Sequence, residues 1–241
     1  MAHSEARSQA EVMSHFFRFP HTPHIAWLAP GSPRDDKVLS SAEASQLLAG
    51  RVVLEEKLDG ANLGFSLAPD GRVQAQNRGQ YLEPPYHGQF ARLGAWLDAH
   101  EDALFDALGP DLMAFGEWCA ARHSLDYDAL PDWWLLFDIY DRQAGAFWST
   151  TRRDAWARQY CFAVVPRLLQ GRVSMAQLRQ LVQETHGAFR AGPLEGVVIR
   201  REDDLWLLDR AKLVRPDFTQ AIDVHWRSRM LEWNRLGVEH S

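Results

Sequence analysis

The sequence has little cysteine, no long apolar run and no excess of positive charge. Its two cysteines, Cys119 and Cys161, lack the paired spacing of a zinc site or a disulfide framework, so both are expected to be small core residues. No apolar stretch approaches the roughly 20 residues of a membrane span. The polar segment 1–9 also lacks the apolar core of a signal peptide. These absences predict a globular chain that stays in the cytoplasm.

The formal net charge of −6 argues at first against a nucleic-acid substrate, because phosphate backbones are held by positive patches. The charge is unevenly distributed, however. Residues 1–150 carry 11 Lys and Arg against 21 Asp and Glu, a net of −10, whereas residues 151–241 carry 15 against 11, a net of +4. The C-terminal part is therefore the expected side for a nucleic-acid backbone. The length of 241 residues fits one domain, or one domain with a small appendage.

One stretch, EEKLDGAN over residues 55–62, places a lysine where an apolar strand ends. The β-branched run at 51–54 favours a strand, and Gly60 favours the turn that ends it. An amine at a rigid strand end suits covalent chemistry, provided that its pKa falls and it reacts in the neutral form. Lys57 is therefore a candidate nucleophile. Lys-Asp-Gly is equally typical of a surface β-turn with the ammonium in water.

Further motifs follow in order along the chain: NRG at 77–79, FGEW at 115–118, LFDIY at 136–140, LEGVVI at 194–199 and AKLVR at 211–215. With these motifs the sequence resembles the covalent nucleotidyltransferase superfamily of polynucleotide ligases and RNA capping enzymes. FPHTPH at 19–24, ARHSLDY at 121–127 and LPD at 130–132 make it most similar to the bacterial and phage ATP-dependent RNA ligases. The resemblance covers about residues 19–218.

The resemblance implies an α+β nucleotidyltransferase fold, an ATP-grasp-like ligase fold with antiparallel sheets flanked by helices. We expect residues 1–40 to be an N-terminal extension packed on a core of residues 41–241. Only 26 residues follow Arg215, so no OB domain is expected. Short apolar runs predict strands at 51–58, 62–68, 72–77, 112–119, 133–140, 194–201 and 204–214. Helical spacing predicts helices at 90–108, 151–162, 175–185 and 218–236.

The resemblance also implies how a lysyl-AMP would form. Lys57 would attack the α-phosphorus of ATP, while Lys212 and Arg215 would lower its pKa and neutralise the phosphate. Only three lysines stand against 23 arginines, and at Lys57 and Lys212 an arginine could not lose a proton as an amine does. A compositional bias of the genome would explain the excess of arginine over lysine equally well. The family pattern is Lys-x-Lys, so Arg210 competes with Arg215 for the second basic position, and both can be exposed strand-end charges.

For the nucleoside, Phe137 resembles the aromatic residue that stacks on adenine, although it can be an ordinary core residue. Glu55 and Glu56 should point to opposite faces of a strand, so only one can meet the adenine amino group, and Glu56 is preferred. The remaining nucleotide-binding candidates are Asp59 or Glu117 toward the ribose hydroxyls, Gly60 of the lysine motif, and Arg78 toward the AMP phosphate and the terminal ribose, with a hairpin tip as the alternative for Arg78.

A divalent cation, magnesium or manganese, is expected because phosphates repel a nucleophile and pyrophosphate is a charged leaving group. Glu195 resembles the metal-binding glutamate of the family, with Glu117 assisting; the alternative for Glu195 is simply the start of a strand. Asn62 resembles the asparagine that orients the RNA 3′ end, or it caps a turn. His123 is as readily structural as catalytic and is left out of the set.

The implied reaction has three nucleotidyl transfers. Lys57 takes AMP from ATP, AMP passes to an RNA 5′-phosphate, and an RNA 3′-hydroxyl displaces AMP. The expected partners are RNA ends or a nicked duplex that contains RNA, and an RNA end-healing enzyme for repair; no membrane is expected. The alternatives are a small DNA nick ligase, a capping-type guanylyltransferase or a non-catalytic module that binds RNA ends.

Overall fold

A computed structural model describes residues 16–33, 36–218 and 231–237. Within these residues it contains four complete α-helices and ten strands, and residues 216–218 are also helical. In chain order they are α1 (Ser41–Leu48), β1 (Val52–Lys57), β2 (Ala61–Leu67), β3 (Val73–Gln76), β4 (Tyr81–Leu82), α2 (Leu93–Leu108), β5 (Leu112–Trp118), β6 (Trp134–Asp141), β7 (Ala146–Phe147), α3 (Thr150–Gln159), β8 (Arg167–Gly171), α4 (Met175–Glu184), β9 (Gly196–Glu202) and β10 (Leu207–Val214), with a 3₁₀ turn at Gly88–Phe90.

Two antiparallel sheets carry the fold. The four-stranded sheet has the order β10-β9-β1-β8, and the six-stranded sheet has the order β4-β3-β2-β5-β6-β7. Helices α1 and α4 pack on the first sheet, where Leu47 and Leu178 join the buried Val197 and Ile199. Helices α2 and α3 pack on the second through a cluster rich in tryptophan. The predicted α+β class with antiparallel sheets is confirmed.

Local sequence explains where two of the helices begin. Ser40 precedes α1 and forms a capping box with Glu43, and Ser174 does the same for α4 with Gln177. In each case the serine hydroxyl accepts an amide of the first turn that has no partner within the helix, a contact that stabilises a helix by about 1 kcal/mol.

The seven predicted strands and the first three predicted helices are present, with bounds within three residues of those expected. Helix α1 and strands β4, β7 and β8 were not predicted. Most of the helix predicted at 218–236 lies outside the described residues. Its described end is not helical, because residues 231–237 run along the segment 119–130, where Asn234 binds the backbone at both Cys119 and Tyr127.

The two cysteines differ in their environment. Cys119 is fully buried, as expected. Cys161 is exposed and follows α3 with a φ of 59°, so its assignment to the core is wrong. A residue that ends a helix in this left-handed conformation leaves the apolar face of the helix.

The described part of the N-terminal segment lies against both sheets. Its backbone pairs with β10, since the amide of Ile25 donates to the carbonyl of Lys212 and the amide of Lys212 donates to Pro23. Phe17 stacks on Tyr140 of β6 at 4.1 Å between ring centroids. A division of the chain at residue 40 stays a prediction. No helix among the described residues is long and apolar enough to span a membrane.

Candidate active site

A cleft of about 660 Å³ opens along the faces of β1, β9 and β10 and is closed by residues of the six-stranded sheet. Eight of the eleven residues predicted for a site line it. These are Glu56, Lys57, Gly60, Asn62, Arg78, Glu117, Phe137 and Lys212. Glu195 contacts the cleft through Lys57, while Asp59 and Arg215 do not line it.

Lys57 is the last residue of β1 and pairs with Gly196 at the start of β9. That register brings the preceding residue, Glu195, beside the lysine, and the Lys57 Nζ donates to the Glu195 Oε1 at 2.5 Å. The Glu195 side chain is 4% exposed and that of Lys57 is 28% exposed. The amine is therefore fixed by a buried ion pair but keeps access to the cleft.

Three carboxylates surround this one ammonium. Burial lowers the pKa of Lys57, but the charges of Glu195, Glu117 and Asp59 outweigh burial and hold that pKa above its usual range. Burial also raises the pKa of Glu117 to about 7 and that of Glu195 to about 8, and the acidic neighbours contribute to both shifts. The predicted fall in the pKa of Lys57 is thus wrong for the protein alone. The site has an excess of acidic groups.

Of the two predicted basic partners, only Lys212 reaches the cleft. Burial and the charge of Lys57 lower the pKa of Lys212, although the hydrogen bond from its Nζ to Asp36 acts in the opposite direction. Arg215 follows the end of β10 and turns away, where it contacts Asp217 and the carbonyls of Val182 and Gln183.

Strand alternation explains this correction. Residues two apart share a face of a strand, whereas residues three apart do not. Arg210 and Lys212 therefore both line the cleft, and Arg215 cannot join them on that face. Arg210 thus shares the cleft face with Lys212, in the order Arg-x-Lys, and its guanidinium pairs with Asp138.

The same alternation bears on the two glutamates before Lys57. Glu55 lies on the face of Lys57, whereas Glu56 extends toward the loop at 187–190, where its Oε2 accepts the amide of Ala188 at 2.9 Å. Both glutamates line the cleft, so the preference for Glu56 as the adenine contact stays a prediction. Glu55 is already engaged, because Arg153 donates to its Oε1 at 2.5 Å and to its Oε2 at 3.1 Å.

Phe137 and Val198 both line the cleft, one from each sheet. Phe19 of the N-terminal segment packs edge-on against Phe137, with 5.4 Å between centroids. Arg153 donates to the Phe137 carbonyl at 2.7 Å, and so ties β6 to β1. An aromatic ring supported in this way offers a stacking surface for a nucleobase, a contact worth roughly 1 to 3 kcal/mol.

Buried arginines complete this end of the cleft. Asp138 accepts hydrogen bonds from Arg200, at 2.7 Å, and from Arg210. Arg210 also lies over the rings of Phe19 and Phe147 at 4.6 and 4.7 Å. This network was not predicted, since its members come from three separate strands.

Asp59 and Gly60 have structural positions. The Asp59 Oδ2 accepts the amides of Ser124 and Leu125 at 2.7 Å each, so this oxygen is already engaged, and Asp59 does not line the cleft. Gly60 donates its amide to Glu117 at 3.0 Å. A β-carbon at residue 60 would lie 2.5 Å from the carbonyl oxygen of Trp118, so only glycine fits there.

Four buried polar atoms of residues that line the cleft or contact Lys57 have no hydrogen-bond partner among the described residues. They are the Oε1 of Glu56, the Oδ1 of Asn62, the Nε of Arg78 and the Oε2 of Glu195. Buried polar atoms are nearly always paired, so such a concentration indicates the place of a ligand. Within the described ranges, no group of three or more His, Cys, Asp or Glu is arranged to hold a metal ion by itself.

The prediction missed several residues that line the cleft. Phe19 and Thr22 come from the N-terminal segment, and Gln89 comes from the 3₁₀ turn. His123 also lines the cleft and lies 2.8 Å from Gln89, measured between Nε2 and Oε1. Burial lowers the pKa of His123. The phrase ARHSLDY had marked this histidine, but nothing in the sequence marks Gln89.

Comparisons with known proteins point to one family. The family model described as RNA ligase matches residues 50–214. Among solved structures, a variant of the Naegleria gruberi RNA ligase with ATP and Mn superposes with a TM-score of 0.60 at 16% identity, covering 76% of this chain and 54% of the other. The same enzyme with pyrophosphate gives a TM-score of 0.60 at 16% identity, with coverages of 87% and 65%.

A further variant of that enzyme with AMP and Mn gives a TM-score of 0.58 at 16% identity, covering 78% and 55% of the two chains. This chain therefore spans between about half and two thirds of the length of these solved ligases, and at such identity the likeness concerns the fold. No curated protein sequence matches the chain significantly.

Proposed function

We propose that this chain, which belongs to the RNA ligase family, is an ATP-dependent RNA ligase that joins an RNA 3′-hydroxyl to a 5′-phosphate. The reaction would pass through a covalent lysyl-AMP and an adenylylated RNA. One observation carries the proposal. The amine of Lys57 lies at the end of a strand, in a cleft that is also lined by residues with buried donors and acceptors that have no partner among the described residues.

In the first step the neutral amine of Lys57 attacks the α-phosphorus of ATP. An N–P bond forms, the bond to pyrophosphate breaks, and the nitrogen releases one proton to solvent, so that the phosphoramidate keeps one N–H. Glu195 accepts a hydrogen bond from Lys57 Nζ and so holds the amine in the cleft. Lys212 and Arg78 would face the negative charge that builds on the phosphate.

The acidic groups fit a divalent cation. Magnesium needs only one or two carboxylates when waters and phosphates supply its other ligands. Glu195 has a buried, unpartnered oxygen, and Glu117 lies close enough to raise its pKa. A cation held by these two residues would neutralise the phosphates and the carboxylates that keep Lys57 protonated. The Naegleria ligase structures were solved with Mn, in agreement with such a requirement.

The other end of the cleft suits the base. Phe137 offers its ring on one side and Val198 an apolar side chain from the opposite sheet. In the second step AMP passes from Lys57 to the RNA 5′-phosphate, and in the third the 3′-hydroxyl displaces it. Asn62 lies beside Glu117 across β2 and β5, and its unpartnered Oδ1 is available to orient the 3′ end.

Radioactive ATP labelled at the α-phosphate tests the first step. The wild-type chain with magnesium is expected to retain label on a denaturing gel, and Lys57→Ala should abolish the label. Lys37→Ala is the matched control, because Lys37 is an exposed lysine paired with Glu43. Equal labelling of the wild type and Lys57→Ala would overturn the assignment of the nucleophile.

The same assay separates the alternatives. Labelling by GTP alone would indicate a capping-type guanylyltransferase. Nicks that carry either ribose or deoxyribose at the 3′ terminus distinguish an RNA ligase from a DNA nick ligase. A module that only binds RNA ends would take no label, and its RNA binding would be unchanged in Lys57→Ala.

A further inference from the structure

Lys212 already has a carboxylate partner in the cleft. Its Nζ donates to the Oδ2 of Asp36 at 2.5 Å, and the two side chains are 16% and 29% exposed. Asp36 belongs to the N-terminal segment, which lies outside the residues matched by the family model. The lysine expected to meet a phosphate is therefore neutralised by another part of the chain.

The position of Asp36 is set by the residues that follow it, whose backbone pairs with His24, and His24 pairs in turn with β10. Residue 24 bridges β10 at Lys212 and also bridges Val38, and the amide of His24 donates to the carbonyl of Lys37 at 2.8 Å. The Asp36 Oδ2 also lies 3.3 Å from the Nε2 of the buried His24. This pairing holds the carboxylate at the ammonium, which a chance surface contact would not do.

Lys212 needs a counter-ion before any ligand arrives. It is largely buried, and it lies near enough to Lys57 for the charge of that lysine to lower its pKa. An incoming phosphate would bring negative charge next to Asp36. One ammonium cannot keep its shortest contact with both groups, and the two anions repel each other.

We propose that Asp36 is a positioning residue, the resident counter-ion of Lys212, which holds the ammonium in the cleft and gives way to a phosphate oxygen of ATP or pyrophosphate. This inference rests on the proposed function only for the identity of the ligand. It gives the N-terminal segment a role in nucleotide binding. Displacing Asp36 from Lys212 weakens nucleotide binding, but the ion pair keeps the ammonium of Lys212 in the cleft before ATP arrives.

Binding of ATP with magnesium to the full chain carrying Lys57→Ala tests this, because that background stops the reaction before transfer. Adding Asp36→Asn removes the competing charge while keeping the shape of the side chain. We expect the Kd for ATP to fall by roughly fivefold, the effect of removing one partly exposed like charge. Pyrophosphate should show the same direction. Asp70→Asn, which alters an exposed pair with Arg72, controls for net charge.

A double-mutant cycle separates this role from a purely structural one. In a Lys212→Met background, Asp36→Asn should no longer change the Kd, since the ammonium for which the anions compete is gone. An unchanged or higher Kd in the Lys57→Ala background would overturn the inference, and a higher magnesium requirement would show that Asp36 is a metal ligand instead. If the Lys57→Ala chain binds no ATP at all while folded, the proposed function fails and this inference with it.

Discussion

The two ends of the cleft are built differently. At the base end, which is the part around Phe137 proposed for adenine, Glu55 is paired with Arg153, and Asp138 is paired with Arg200 and Arg210. At the phosphate end, which is the part around Lys57 proposed for the phosphates of ATP, the ammonium of Lys57 lies among three carboxylates, and the Oε2 of Glu195 has no partner among the described residues.

The difference separates two tasks. Paired charges at the base end tie β1 to β6 and α3 and so fix the distance between Lys57 and Phe137 without needing a ligand. The phosphate end leaves polar groups unsatisfied, which costs stability until charges of the ligand complete it. A rigid end and an electrostatically incomplete end are what a site needs when it must orient a nucleotide and respond to its phosphates.

Breaking the base end should have the largest effect, and the effect should be on stability. Arg153→Met leaves the buried Glu55 without its partner, which typically costs about 3 to 5 kcal/mol. Chemical denaturation measures the loss. Arg158→Met, on the exposed side of the same helix, is the control. Adding Glu55→Gln to Arg153→Met should recover part of the stability; no recovery would mean that Arg153 acts through packing alone.

Breaking the phosphate end should instead affect the chemistry. Glu195→Gln keeps the shape but removes the charge that a cation needs, so the rate of labelling by ATP should fall roughly 100-fold or more. The melting temperature should not fall. The raised pKa of Glu195 shows that its charged form is unfavourable in the folded protein, and the substitution removes that charge. Glu184→Gln, at the exposed end of α4, should behave as wild type. A large loss of stability with normal labelling would reverse the comparison.

The pH dependence of labelling sharpens the same point. Glu117 and Glu195, with pKa values of about 7 and about 8, must be ionised to hold a cation. The labelling rate should therefore rise with pH through 7 to 8, by at most about tenfold per unit for each proton released. A rate that is flat from pH 6 to 9 at ATP and magnesium below saturation, where the free site must still release its protons, would contradict these assignments.

The stability of the protein without ligands should change with pH in the opposite direction. In the unfolded chain both carboxyls ionise near 4.5, whereas in the folded chain they keep their protons up to about pH 7 and 8. The free energy of unfolding should therefore fall as pH rises from about 4.5 to about 8. Thermal melts should show that magnesium restores stability at pH 8, and that Glu195→Gln reduces the slope.

The smallest expected effect lies at the N-terminal segment. Burial and the charge of Lys212 lower the pKa of His24 to about 4, so His24 is neutral when folded and titrates near 6.5 when unfolded. The neutral His24 contributes in full to the free energy of unfolding above pH 6.5. This contribution is lost as pH falls, by about 1 kcal/mol between pH 7.5 and 5.5. His24→Gln should remove this part of the acid sensitivity in denaturation curves; an identical pH dependence in both proteins would exclude it.

The sequence is sufficient to predict what depends on local pattern. Strand β1, the turn at Gly60 and the position of Lys57 follow from a β-branched run, a glycine and their spacing. Alternation within a strand was also sufficient to place Arg210, and not Arg215, on the face of Lys212. Arg215 lies three residues from Lys212 and beyond the predicted strand 204–214, so it could not share that face.

Contacts between distant segments were not predictable. Arg153 meets Glu55 across 98 residues and Lys212 meets Asp36 across 176, and neither pair has a spacing signal. Asp59 was assigned to a ribose because its carboxylate is typical of a binding group, yet two loop amides occupy one of its oxygens. A single sequence shows which residues can do chemistry, but which of them remain unsatisfied depends on tertiary partners.

The most direct measurement is the mass of the intact protein after incubation with ATP and magnesium, followed by peptide mapping. The account predicts the addition of one AMP on the peptide that contains Lys57, with the adduct removed when a 5′-phosphorylated RNA with a 3′-hydroxyl end is supplied. An adduct on any other residue, or none on a folded protein that binds ATP, would contradict it.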